Sequence, residues 1–145
     1  MYYRHHATVL CAVVLTLVAA TALAGDELRG AAILEHPCGK AAVKQMGLVH
    51  AGKMDEANNL TTKEMQEQWK AMSANDRKMM SGMMQTMSQS EEEYAAAIKA
   101  NGVLGVDGND ATLTVKKTTK DKNGSNTETI TQKYKIQGNQ CLITH

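Results

Sequence analysis

Apolar residues recur with two different periods along this chain, and the change of period divides it. An apolar stretch from Ala7 to Ala20 comes first, followed by a polar segment. Pro37, the only proline, stands where a helix can begin. Val43, Met46 and His50 then recur at helical spacing to about Ala51, where Gly52 can close the helix. Asp55 to Leu60 reads as a short helical turn. Thr61-Thr62-Lys63-Glu64 has the form of a capping box, and Met65, Trp69 and Met72 follow at i, i+4 and i+7 on one face. Ser73-Ala74-Asn75-Asp76 offers another hydroxyl cap, and the helix after it carries Met79, Met80, Met83, Met84 and Met87 on one stripe. Ser88 to Glu93 is polar and ends this helical half, which spans about residues 38–90.

From Tyr94 to the end the period drops to two, which predicts a sheet half over 94–145. Asp107-Gly108-Asn109, Asn123-Gly124 and Gly138-Asn139 are turn signals that separate four strands. Asn-Gly suits a type I′ hairpin, and Gly-Asn suits type II′ with glycine first. A turn at Asn123-Gly124 places Leu113 opposite Tyr134 and Ala111 opposite Ile136. A turn at Gly138-Asn139 places Ile136 opposite Cys141 and Tyr134 opposite Ile143. A turn around Gly108 sets Leu104 and Val106 against Ala111 and Leu113. Directly opposed residues share a face. One face therefore collects Leu104, Val106, Ala111, Leu113, Val115, Ile130, Tyr134, Ile136, Cys141 and Ile143. The other collects Thr112, Thr114, Lys116, Thr129, Thr131, Lys133 and Lys135. All three turns agree on this partition, which a one-residue slip would scramble. The apolar face needs a cover, and the helical half supplies one. The expected fold is α+β, with N-terminal helices packed on one face of a four-stranded antiparallel meander.

The first 24 residues fix a compartment. Met1-Tyr2-Tyr3-Arg4 carries one charge, the apolar segment follows, and Ala22-Leu23-Ala24 abuts Gly25-Asp26-Glu27. That order is a secretory signal peptide with cleavage between Ala24 and Gly25. The alternative is an uncleaved anchor, which needs roughly 18 apolar residues; Thr8, Thr16 and Thr21 interrupt the run. Cys11 follows the bulky Leu10 and precedes most of the apolar segment, so it does not read as a lipidation site. Removing 24 of the 145 residues leaves 121, one ordinary domain over 25–145. The destination is periplasmic or secreted.

Composition narrows the partners. Arg4 is the only charged residue of the leader among 16 basic and 15 acidic side chains, so the remainder is balanced. Balanced charge gives no electrostatic footprint for nucleic acid or anionic lipid, and no further apolar run has membrane length. Cys38 and Cys141 remain of three cysteines. An even pair in an oxidising compartment favours a disulfide over a metal or catalytic role; the alternative is two free thiols. Phenylalanine is absent, and nine methionines beyond Met1 supply apolar bulk.

Several segments resemble the cystatin-like, nuclear-transport-factor-like superfamily. More narrowly, they resemble small exported bacterial proteins of unknown function near lumazine-binding-like domains. The segments are Ala41-Ala42-Val43-Lys44, the run His50-Ala51-Gly52-Lys53-Met54-Asp55-Glu56-Ala57, the turn and strand from Val106 to Val115, and the final hairpin Lys135 to Ile143. Those proteins usually carry Trp after the last glycine turn, where Gln140 or Cys141 stands here. The resemblance implies helices followed by a curved antiparallel sheet and names no catalytic residue.

Candidate chemistry is sparse. Met79/Met83, Met80/Met84 and Met83/Met87 lie at i, i+4, so their thioethers could converge on Cu(I). The competing reading makes them core filler in a chain without Phe, and it is preferred, with Met80, Met83 and Met87 beneath the helical layer. His50 reads as a helix end. Glu91-Glu92-Glu93 reads as a solvated face or helix start, and Asp107, Asn109 and Asp110 as a turn rather than a calcium loop. Tyr134 is the only polar tip on the predicted core face. No cofactor and no catalytic residue is expected. The leading expectation is a non-catalytic exported module that binds a small ligand or a protein partner, an antagonist of a secreted toxin included. The alternatives are a methionine-rich Cu(I)-handling protein and a small hydrolase or isomerase.

Overall fold

The alternating segment builds a continuous antiparallel sheet, and the turn glycines set most of its register. In chain order the elements are β1 (Asp26–Arg29), α1 (Ala31–Glu35), α2 (Pro37–His50), α3 (Met54–Asn58), α4 (Lys63–Ala71), α5 (Ala74–Met87), α6 (Glu91–Asn101), β2 (Gly102–Asp107), β3 (Asp110–Asp121), β4 (Gly124–Gln137) and β5 (Gln140–Thr144). The structure is a computed structural model that describes residues 25–121 and 124–145. The expected leader up to Ala24, and Asn123 of one expected turn, lie outside the described residues. The sheet has five strands in the order β1-β2-β3-β4-β5, one more than the four expected. β1 pairs with β2, Leu28 opposite Leu104.

Two turns close as the sequence requires. Asp107 pairs with Asp110 and Gln137 with Gln140, leaving Gly108-Asn109 and Gly138-Asn139 as two-residue turns. Both glycines have positive φ, 57° and 59°, while no other residue type among the described residues does. Glycine alone in the left-handed region is the type II′ requirement. Leu104 faces Leu113, Val106 faces Ala111, Ile136 faces Cys141 and Tyr134 faces Ile143, as expected.

Between β3 and β4 the expected register is corrected. Ala111, not Leu113, lies opposite Tyr134, and Leu113 faces Gln132. The ladder continues to Asp121 opposite Gly124. The shift is two residues, and because side chains alternate with period two every residue keeps its face. Better cross-strand pairs account for it: Val115 meets Ile130, Lys117 meets Glu128, and Lys135 forms an ion pair with Asp110.

The cover over the apolar face also differs from expectation. Ile33 of α1, Cys38 and Ala42 of α2, and Tyr94 and Ile98 of α6 pack with Leu104, Leu113, Val115, Tyr134 and Ile143 in one core. The helical half therefore does not end at residue 90. Glu91, Glu92 and Glu93 form the first turn of α6, where carboxylates complement the helix dipole. Ser90 Oγ accepts from Glu93 N–H at 3.3 Å, and the Glu93 carboxylate accepts from Ser90 N–H at 3.1 Å, a complete capping box. Hydrogen bonding from the Ser90 backbone N–H, and then from its side chain, holds the Glu93 carboxyl below its usual range. The strand period begins at Gly102 rather than Tyr94.

Cys38 and Cys141 form a disulfide with Cα atoms 4.9 Å apart, tying the first turn of α2 to β5. The expected box at Thr61 does not form. Thr61 makes a parallel bridge to Ile143, and its hydroxyl donates to Asn58 O at 2.7 Å. Thr62 N–H donates to Ile143 O, and Leu60 O accepts from Ile143 N–H, both at 2.9 Å. Pairing the edge of β5 takes precedence over capping α4, whose N-cap Thr62 has no side-chain cap bond.

Pro37 at the first position of α2 follows an extended His36 whose Nδ1 accepts the Cys38 N–H at 3.2 Å. Burial holds the His36 pKa below its ordinary value. A protonated ring cannot accept that bond. The unfolded chain takes up the proton near pH 6.5 and the folded chain only at lower pH. Stability from this group is thus complete above that value and declines as pH falls through it to the lower folded pKa. Thermal melts at neutral and mildly acidic pH should show the decline. His36→Asn, which retains an acceptor at the cap, should flatten it; an unchanged slope would assign the loss elsewhere.

Candidate functional site

The methionine-rich helices lie outside the main core. A second small core of Val49, Met54, Ala57 and Trp69 joins the end of α2 to α3 and α4, with Leu48 and Met72 packed against it. Trp69 is fixed by its ring nitrogen, Nε1, which donates to Asp55 Oδ1 at 2.9 Å. α5 leans against this lobe. Ser73 Oγ caps it by accepting from Asp76 N–H at 3.1 Å. Its far end is pinned to the end of α2, where Gln85 Nε2 donates to His50 O at 3.2 Å and Ser88 Oγ lies 3.4 Å from His50 Nδ1. His50 thus ends α2, as expected.

None of the fourteen residues of α5 is buried. Met79 is 73% exposed, Met80 36%, Met83 58%, Met84 37% and Met87 75%. The expectation that Met80, Met83 and Met87 pack as core is overturned. α1, α2 and α6 already cover the apolar face of the sheet, so α5 rests on the edge of the helical layer. An isolated helix of this length is marginal in water, so the cap at Ser73 and the bonds from its far end to His50 support it. Five large apolar side chains together on the surface mark an interaction site more often than chance exposure.

The exposed helix borders two grooves. On one side Met80 and Met84 meet Met54 of α3, Met65 and Trp69 of α4, and Met72, around a groove of about 260 Å³. At its rim His145 Nε2 and Gln68 Oε1 are 3.1 Å apart. On the other side Met84 and Met87 border a second groove, also about 260 Å³, with Met46, Val49 and Gln132. The expected pairs at i, i+4 are therefore split. Met80/Met84 looks into the first groove together with thioethers from two other elements, whereas Met79 and Met83 stand in neither. Sequence reasoning placed Met65 and Met72 on a helix face and left Met54 just before a short helical turn, without associating any of them with the stripe; Met54 opens α3. The signal was the shared apolar face of Met65, Trp69 and Met72.

The remaining candidates are placed elsewhere. Tyr134 is buried beneath the helices, and its hydroxyl has no hydrogen-bond partner among the described residues. Burial, with Tyr94 nearby, pushes its pKa far up. Asp107 and Asp110 flank the Gly108-Asn109 turn. Among the described residues no three His, Cys, Asp or Glu side chains come together as a metal cluster, and no helix is long and apolar enough to cross a membrane.

These features define a small disulfide-bridged α+β domain that carries a methionine-lined groove beside its sheet. The chain matches no protein-family profile, no curated protein and no solved structure.

Proposed function

We propose that this is an exported, non-catalytic binding module of the cystatin-like, nuclear-transport-factor-like class, and that its binding surface is the groove between α4 and α5. Met80 and Met84 carry the reading: about one-third exposed on a helix with no fully buried residue, they line one groove with Trp69. Methionine surfaces adapt to irregular apolar ligands because the side chain is unbranched and polarizable. The order of charge, apolar run and Ala-Leu-Ala in the leader supports export, and the disulfide suits an oxidising compartment. The deep burial of both Tyr94 and Tyr134 in the main core favours binding over chemistry in the space between helices and sheet.

The fluorescent apolar probe 8-anilinonaphthalene-1-sulfonate tests the groove, because Trp69 is the only tryptophan and can transfer energy to it. The native protein should bind the probe with energy transfer from Trp69. Met80→Gln with Met84→Gln should abolish the transfer while lowering the melting temperature by no more than about 4 °C, since each partly exposed substitution usually changes stability by no more than ~0.5 kcal/mol. Probe binding that survives both substitutions would place the surface elsewhere.

A further inference from the structure

Resting on the reading of this groove as the binding surface, we propose that its ligand is a soft monovalent cation, Cu(I), held by thioethers drawn from separate helices. The fold brings Met54 of α3, Met65 of α4, Met72 just beyond it, and Met80 and Met84 of α5 around one space. No single helix could supply that set. Thioether sulfur is a neutral, soft donor that discriminates for Cu(I) and against Ca(II) or Mg(II).

Burial does not explain methionine at Met80 and Met84. With 36% and 37% of their surface still exposed, they gain only part of the transfer free energy of a core side chain. What distinguishes them from leucine is the sulfur. Trp69 adds a second element, because an indole face attracts a cation placed against it. Its orientation is set by the bond from Nε1 to Asp55, whose carboxylate also brings negative charge to the same lobe. Met79 and Met83, 73% and 58% exposed, lie outside the groove and form an internal control on the same helix.

Ag(I) is the probe, because it matches Cu(I) in softness and needs no reductant, so the Cys38–Cys141 bridge stays intact. The full chain is used with Cys11→Ser, which removes the only cysteine outside the bridge. Titration is followed by Trp69 fluorescence. One saturating equivalent should quench Trp69. Met80→Leu with Met84→Leu should weaken binding by about tenfold or more, while Met79→Leu with Met83→Leu changes it by less than about twofold. Leucine conserves volume and apolarity, so both pairs should melt near the parent temperature. Competition against a chromogenic cuprous chelator then extends the result to Cu(I). Absence of saturable quenching, equal affinity in the Met80/Met84 pair, or loss in the Met79/Met83 pair would each overturn the proposal. If Ag(I) fails while the anilinonaphthalene probe still depends on Met80 and Met84, the groove stands as an apolar site and only the soft-cation assignment falls.

Discussion

Replacing either Cys38 or Cys141 with serine should destabilise the protein by about 4–5 kcal/mol, and replacing both should cost nearly the same as replacing one. The bridge spans 103 positions of sequence, and chain entropy alone assigns about 4.7 kcal/mol to closing a loop of roughly that length. Both side chains lie in the main core, so each serine hydroxyl adds a desolvation cost smaller than the loss of the bond. The equality of single and double variants follows from a shared crosslink, because the second substitution removes nothing that the first left. Urea titration of the three variants measures it. Additive losses would mean that each side chain contributes through packing rather than through the bond.

The second large effect is expected at the centre of the sheet. Leu113 is fully buried on β3, between Leu104 of β2 and Gln132 of β4. Leu113→Ala should cost about 3–5 kcal/mol, combining lost transfer free energy with a cavity that close-packed neighbours cannot fill. Met83→Ala on α5 should cost under about 1 kcal/mol, since 58% of that side chain is already in water. The contrast reverses the stability expected of a methionine stripe serving as core. Comparable losses at the two positions would return α5 to the interior.

The sheet was legible in the sequence for a physical reason. Side-chain alternation and two glycine turns fix parity, so the apolar face from Leu104 to Ile143 was determined even though the β3–β4 pairing was off by two residues. That offset arose because parity cannot tell registers two apart. Cross-strand preferences such as Val115 with Ile130 and Lys117 with Glu128 do so. β1 was not legible, because Asp26-Glu27-Leu28-Arg29 has no apolar alternation and holds its place by backbone pairing to β2. α6 was mistaken for the start of the strand region, although Ser90 and Glu93 spell a capping box and Tyr94 and Ile98 are one helical turn apart. The methionine helix was the largest displacement. Periodicity shows that an apolar stripe exists but not what lies against it; α1 and α6, both missed, occupy the place assigned to α5. The groove itself was out of reach for the same reason, since it requires Met54, Met72 and Met80 to meet across three segments.

Oxidation of the native protein by dilute hydrogen peroxide, followed residue by residue by mass spectrometry, tests the exposed methionine surface most directly. Sulfoxide formation follows exposure of the sulfur. Met79 and Met87 should oxidise fastest, Met80 and Met84 at intermediate rates, and Met54, packed in the second core, slowest, with the fold intact throughout. Rates for all five α5 methionines as slow as that of Met54 would contradict the account.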